Sequence, residues 1–304
     1  MHQLALLFSL MLCPQARHAG AVPHDGAAGA THGPAAAATA RAGPQDRPGP
    51  VVLEGGRAGS RALLVALHGG SFAGAEALQL AERCRDELHA AARAEGLRLL
   101  VPVAPDPETV ETVPVEGATD RGTHESGAAR PVQGVYQVPW LSAAGEARVL
   151  ALIDEELAAH RADPARICLA GHGAGATGAL ALAARHSARF AAVAVWAGTP
   201  APLWDDSMHV IALAEDPVPA LAEVPLYLWS ARDDPWLDRA TWSLFTSALQ
   251  ARHAARGTEA GGGRPVRAAP LMLVEEATGG HGYGGKGPAP GLHFLKAQRR
   301  AQPP

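Results

Sequence analysis

The sequence has few cysteines, few aromatic residues and almost no lysine. Its 304 residues include 3 cysteines, and lysine occurs only at Lys286 and Lys296. So few cysteines do not make a disulfide framework, and we expect Cys84 and Cys168 to be buried thiols. A formal net charge of -4 gives no basic surface of the kind that binds DNA, RNA or anionic lipid. We therefore expect no nucleic-acid partner.

The chain also lacks an apolar run long enough to span a bilayer, which needs about 20 residues. The apolar stretch from Leu4 to Leu12 is followed by Ala19-Gly20-Ala21, an A-x-A cleavage pattern. We therefore expect residues 1–21 to be a signal peptide and the protein to be exported, to the periplasm or the medium. No Lys or Arg precedes the apolar stretch, which leaves open a disordered apolar N-terminus or a misassigned start codon.

The chain after the N-terminal segment divides into a linker and one domain. Residues 22–50 are rich in Ala, Gly and Pro and carry no periodic apolar pattern, so they predict a flexible linker. From residue 51 to 304, continuous apolar runs typical of buried parallel strands alternate with helical patterns. This alternation predicts an α/β fold with a mainly parallel, doubly wound sheet covered by helices on both faces.

One irregular stretch inside this domain, residues 106–139, is long enough to predict a lid or a binding loop. It is rich in Thr, Glu, Gly and Pro. Tyr136 within it and Trp140 just after it are candidates for lining a pocket, although ordinary packing explains them equally well.

The most informative stretch runs from Ile167 to Ala176, where an apolar run passes through glycines into Ala-rich, helix-forming sequence. Gly171 and Gly175 bracket a central residue as in the G-x-S-x-G nucleophile elbow, a sharp strand-to-helix turn that exposes a catalytic serine. Here the central residue is Gly173, which has no side chain. The pattern predicts the turn of a hydrolase without its attacking atom.

Two later loops carry the other residues that such a site needs. Asp233, with Asp234 beside it, follows a predicted strand at 225–230, and His281 lies in a Gly-rich turn after a predicted strand at 266–275. The order of nucleophile position, acid and histidine is that of the α/β-hydrolase arrangement. A solvated turn is the alternative explanation for the two aspartates.

Together with Leu67-His68-Gly69-Gly70, these motifs resemble the α/β-hydrolase superfamily, and within it bacterial esterases related to polyhydroxybutyrate depolymerases and feruloyl esterases. The resemblance covers about residues 61–300. It implies that His281 is the general base and that Asp233, or its neighbour Asp234, holds the imidazole in the correct tautomer.

The resemblance further implies an oxyanion hole formed by backbone N–H groups and a pocket beside it. The N–H of Ala174 and that of Gly70 or Ser71 are the expected donors. The expected pocket residues are His68, His172, Tyr136 and Trp140. The expected ligand is a small-molecule or polymeric ester, with no cofactor.

Three functional hypotheses follow. The first is an ester hydrolase impaired by Gly173, since removing the nucleophile of a comparable triad costs about 10⁶ in turnover. The second is a non-catalytic pseudo-hydrolase that binds an ester, acyl or glycan ligand in the inherited cleft. The third is a hydrolase in which His281 and Asp233 activate water directly. No H-E-x-x-H pattern supports a metal-dependent hydrolase.

Overall fold

The computed structural model describes residues 51–53, 61–70, 74–105, 119–120, 130–131, 136–199, 203–204, 210–212, 217–258 and 269–300. These lie within the compact unit Gly49–Pro304. The expected signal peptide at 1–21, the expected linker at 22–50 and the candidate donor Ser71 lie outside the described residues. So do most of the expected lid at 106–139 and the side chain of Tyr136.

Seven strands form the main sheet: β1 (Val51–Leu53), β2 (Leu63–Leu67), β3 (Arg98–Val101), β7 (Ile167–His172), β8 (Ala192–Trp196), β11 (Leu226–Ala231) and β12 (Leu271–Glu276). Their spatial order is β1-β3-β2-β7-β8-β11-β12. Strand β1 pairs antiparallel with β3, and the other neighbours are parallel. A small three-stranded antiparallel sheet has the order β10 (Val210–Ala212), β9 (Leu203–Trp204) and β6 (Tyr136–Gln137). A two-stranded antiparallel sheet pairs β4 (Thr119–Asp120) with β5 (Arg130–Pro131).

The α-helices of the described residues are α1 (Gly74–Glu95), α2 (Ala143–Ala158), α3 (Ala174–Arg185), α4 (Val218–Leu221), α5 (Arg239–Thr258) and α6 (Ala289–Lys296). Helices α1 and α6 pack together, while α3, α4 and α5 form a second group, and both groups contact the sheet. As a result every residue of β2, β8 and β11 is buried. The predicted α/β-hydrolase fold, with its mainly parallel and doubly wound sheet, is confirmed.

Local sequence signals explain where two helices begin. The Ser142 hydroxyl accepts a hydrogen bond from the Gly145 N–H and caps α2. The Asp238 carboxylate accepts from the N–H groups of Ala240 and Thr241 and starts α5 at Arg239. In the part of the chain that the structure describes, no helix is long and apolar enough to cross a membrane.

Candidate active site

The turn from β7 into α3 has the geometry of a nucleophile elbow. Its central residue, Gly173, has φ 55° and ψ -120°. A Cβ at Gly171 would lie 2.2 Å from the Gly175 carbonyl oxygen, and a Cβ at Gly175 would lie 1.9 Å from the Leu67 carbonyl oxygen. Because real Cβ atoms do not approach oxygen this closely, both flanking glycines are required for strand and helix to meet.

The imidazole of His281 lies directly against Gly173. A Cβ built at position 173 would be 2.7 Å from His281 Nε2. The backbone thus has the elbow conformation although position 173 presents no side chain. The ring nitrogen stands next to the place from which a nucleophilic hydroxyl would project.

The acid that holds His281 is Asp234. His281 Nδ1 lies 3.1 Å from Asp234 Oδ1 and 3.0 Å from Oδ2, and the Asp234 side chain is fully buried. The interpretation that gave this place to Asp233 needs correction. The Asp233 carboxylate instead accepts hydrogen bonds from the N–H groups of Gly279 at 3.3 Å and Gly280 at 2.8 Å. One aspartate orients the ring and its neighbour fixes the loop that carries the ring.

The two described candidates for the oxyanion hole, Ala174 and Gly70, lie on the wall of one cavity. Ala174 is the first residue of α3, where backbone N–H groups have no acceptor within the helix and the helix dipole favours negative charge. Gly70 follows β2 with φ 85°, a conformation that favours glycine.

His68 fixes the loop after β2 and, as expected of a pocket residue, borders the cavity. Its Nε2 accepts a hydrogen bond from the Ala104 N–H at 3.1 Å, and its Nδ1 donates to the Gly69 carbonyl at 3.2 Å. Burial lowers the pKa of His68 to about 4, so the ring is neutral near pH 7. Trp140 Nε1 donates to the His68 carbonyl at 2.9 Å. Trp140 therefore packs behind the loop, and the described cavity lining does not include it.

His172 lies beside His281, with the two ring centroids 4.8 Å apart, and its other neighbour is Tyr283 at 5.0 Å. Burial is the main cause that lowers the pKa of His172 to about 4, and electrostatic repulsion between the two imidazoles when both are protonated adds to it. Its Nε2 is buried and has no hydrogen-bond partner among the described residues. His172 thus forms a neutral wall of the site.

The cavity in front of the elbow has a volume of about 630 Å³. Sequence reasoning missed two parts of its wall. One face of α1 contributes Leu80, Arg83, Cys84 and Glu87, and the loop after Asp234 contributes Trp236, which is 52% exposed. Apolar residues of α1 recur at helical spacing in the sequence, but this pattern does not indicate that part of a helix face borders a cavity. A tryptophan three residues after Asp233 was the signal available in the sequence for the other part.

A thiol does not replace the absent hydroxyl. Cys84 borders the cavity but is buried, and burial raises the pKa of its thiol to about 12. A thiol that stays protonated is a poor nucleophile. Among the described residues, no group of three or more His, Cys, Asp or Glu side chains is placed to hold a metal ion.

The sheet order and the elbow define a protein of the α/β-hydrolase fold. Comparison with known families adds that residues 121–211 match the model of the family described as Esterase PHB depolymerase. The matched segment, which includes the elbow, is therefore esterase-like. A search of curated protein sequences finds no significant match.

Solved structures similar to this chain include three esterases or hydrolases. An S-formylglutathione hydrolase from Agrobacterium tumefaciens is 16% identical over 77% of this chain and 80% of that chain, with a TM-score of 0.43. A ferulic acid esterase is 18% identical over 78% and 85%, with a TM-score of 0.44. Esterase PE8 is 17% identical over 81% and 97%, with a TM-score of 0.48.

Proposed function

We propose that this protein is a carboxylic-ester hydrolase by descent that binds an ester in its cavity and has lost serine-type covalent catalysis. The observation that carries the proposal is at Gly173, which keeps the elbow backbone, φ 55° and ψ -120°, directly against His281 Nε2. The His281–Asp234 pair and the start of α3 supply the base, the orienting acid and an oxyanion donor. Only the hydroxyl is absent.

The expected loss of activity is large but incomplete. Removing a triad nucleophile costs about 10⁶ in turnover, and binding together with the oxyanion hole leaves about 10³–10⁴ over the rate in water. The natural chain should therefore hydrolyse esters slowly, far below the median enzyme turnover of about 10 s⁻¹.

The alternative is a non-catalytic pseudo-hydrolase that binds an ester, acyl or glycan ligand without turning it over. The open cavity with the exposed Trp236 at its wall favours a binding role, because an exposed aromatic ring offers a flat surface to a ligand. The two candidates differ in one measurable property, which is whether a bound ester is consumed.

Restoring the hydroxyl tests the proposal. The natural chain, Gly173→Ser and Gly173→Ser/His281→Ala are treated with a fluorophosphonate probe, which labels activated serines, and assayed with p-nitrophenyl butyrate. We expect labelling at position 173 and a large rate increase, up to about 10⁶, in the single variant, and neither in the double variant. Efficient turnover by the natural chain that survives His281→Ala would show the site assignment to be wrong.

Export remains a prediction, supported by the apolar stretch and the A-x-A pattern. Expression of the full chain in a bacterium, followed by N-terminal sequencing of the periplasmic fraction, tests it. A mature protein that begins at Val22 is expected, and an uncleaved chain retained in the cytoplasm would contradict export.

A further inference from the structure

We propose that His281 is itself a nucleophile, and that its Nε2 attacks esters with a good leaving group, above all aryl esters, to form an acyl-imidazole. This inference rests on the proposed function, because it needs an ester in the cavity. It gives the site a reaction that requires no side chain at position 173.

The position of the ring is the first argument. His281 Nε2 lies 2.7 Å from the place of a Cβ on residue 173. In a serine esterase a hydroxyl would stand between that carbon and the imidazole, and the ring would receive its proton. Here the nitrogen reaches the space of the hydroxyl, in a cavity whose wall also carries Ala174 at the start of α3.

The state of the ring is the second argument. The Asp234 carboxylate is an acceptor, so His281 Nδ1 carries the proton and donates it to that carboxylate. In this tautomer the lone pair is on Nε2, which faces the cavity. The ring is 27% exposed, so an ester can reach it. His172 is excluded as the attacking group because its own Nε2 is buried.

The step balances with water as the second reactant. The Nε2 lone pair forms a bond to the acyl carbon, and the carbonyl oxygen becomes an oxyanion. When the intermediate collapses, the C–O bond to the leaving group breaks and a phenolate departs. The Nδ1 proton moves to the Asp234 carboxylate, and this leaves a neutral acyl-imidazole. Water then attacks the acyl carbon, and the C–N bond breaks to release the carboxylic acid. Asp234 returns its proton to Nδ1, while the second proton of the water passes through the cavity to solvent, where it balances the phenolate.

The leaving group sets the substrate class. A tetrahedral intermediate expels its less basic group, so an alkyl ester, which would have to lose a strongly basic alkoxide, expels imidazole and returns to the starting ester. A phenolate is much less basic and leaves. Trp236, which is 52% exposed on the cavity wall, provides an aromatic surface for such a leaving group. Aryl esters are therefore the expected substrates.

Pre-steady-state kinetics with the natural chain tests the inference. On mixing with p-nitrophenyl butyrate we expect a burst of p-nitrophenolate equal to one equivalent of protein, followed by a slower steady rate. Intact-protein mass spectrometry at neutral pH, within seconds of mixing, should find one added butyryl group, which hydroxylamine removes and which His281→Gln lacks. Ethyl butyrate should give no adduct. His281→Gln should abolish the burst, while His293→Gln, at an exposed histidine outside the cavity lining, should leave it unchanged.

The outcomes separate this inference from the function on which it rests. Turnover without an adduct, or a burst that persists in His281→Gln, overturns the nucleophile assignment. No turnover by the natural chain, combined with fluorophosphonate labelling of Gly173→Ser, overturns this inference and leaves the proposed function standing. Failure of both experiments overturns both. Circular dichroism of His281→Gln checks that the variant is folded.

Asp234→Asn gives a second test. Its amide can donate to Nδ1 and move the ring proton to Nε2, so the burst should become much slower.

Discussion

The glycine at position 173 presents no side chain at the elbow and also relieves backbone strain. A non-glycine residue held at positive φ in a turn costs about 1–3 kcal/mol. At φ 55° and ψ -120°, Gly173 avoids that cost. A side chain here would also press on the His281 ring at 2.7 Å. Glycine at this position thus favours stability and supplies no nucleophile, which is the direction of a trade-off common at active sites.

The positive φ of Gly173 predicts that Gly173→Ala lowers the free energy of unfolding by about 1–3 kcal/mol or more, as measured by urea denaturation. Gly280→Ala is the control, because Gly280 also has φ 55° but has no atom within 4 Å of a built Cβ. The loss of unfolding free energy in Gly173→Ala that exceeds the loss in Gly280→Ala measures the contact with His281. The double variant Gly173→Ala/His281→Ala should not show this additional loss. Equal stability of Gly173→Ala and the natural chain would contradict the strained-elbow interpretation.

The two adjacent aspartates should be separable in the Gly173→Ser background. Asp234→Asn removes the acceptor that fixes the His281 tautomer, and we expect kcat to fall by about 10⁴. Asp233→Asn leaves the ring contact intact and weakens only the hydrogen bonds to Gly279 and Gly280, so its effect on kcat should be much smaller. Steady-state hydrolysis of p-nitrophenyl butyrate gives both values. The opposite ranking would restore Asp233 as the orienting acid.

The sequence could not decide between these aspartates, and the reason is physical. They are chemically identical neighbours, and consecutive side chains in a turn point in different directions. Which one faces the ring depends on where β11 ends, at Ala231, and on the turn that follows it. In that turn Asp234 Oδ1 also accepts a hydrogen bond from the Trp236 N–H. No pattern in the sequence encodes that orientation.

At the scale of elements, the loop after β2 depends on a buried neutral histidine. The hydrogen bonds of His68 to Ala104 and Gly69, and the bond from Trp140 to the His68 carbonyl, join this loop to the end of β3 and to the turn before α2. Since protonation would cancel the acceptor at Nε2, the loop is sensitive to acid.

The lowered pKa of His68 therefore predicts acid-dependent stability. The folded protein keeps the ring neutral down to about pH 4, whereas the unfolded chain binds a proton near pH 6.5. The unfolded state thus holds more protons between these values, and the free energy of unfolding falls as pH falls, by up to about 1.4 kcal/mol per pH unit. Urea denaturation from pH 7 to pH 4.5 measures the slope. His172, whose pKa is also lowered to about 4, adds a second contribution of the same sign. His68→Gln should therefore remove only the share of the slope that His68 contributes, and His293→Gln should leave the slope unchanged.

Elements were more predictable than their ends. The sequence pattern of residues 241–254 predicts a helix, and in the structure that helix begins two residues earlier, at Arg239, because Asp238 caps it. Helix α4 was not predicted because four residues are too few to show a helical period. Trp140 was a pocket candidate because it follows a long loop, but its indole is 1% exposed and bonds to His68. Burial of this kind depends on contacts far apart in sequence.

At the scale of the whole molecule, the site lies where parallel strands end. Gly70 follows β2, Gly173 follows β7, Asp234 follows β11 and His281 follows β12. In a parallel sheet the carboxyl ends share one edge, which is where α/β proteins bind ligands. The sequence could predict that these residues come together, because each of them follows a predicted strand and parallel strands end at the same edge. It could not predict the wall supplied by α1, since the position of a helix over the sheet edge depends on packing.

The exposed Trp236 leads to a prediction about ligand binding by the intact protein. An unreactive analogue of an aryl ester, N-phenylbutanamide, should raise the free energy of unfolding by about 2.7 kcal/mol at one hundred times its Kd. Because Trp236 is 52% exposed on the cavity wall, its ring should supply much of that binding. Trp236→Phe, which keeps an aromatic face, should retain most of the stabilisation, and Trp236→Ala should lose it.

N-ethylbutanamide, which has no aryl group, should bind the natural chain and Trp236→Ala alike. If Trp236→Ala were stabilised by N-phenylbutanamide as much as the natural chain, the aryl group would not lie on this ring, and the preference for aryl esters would rest on leaving-group chemistry alone.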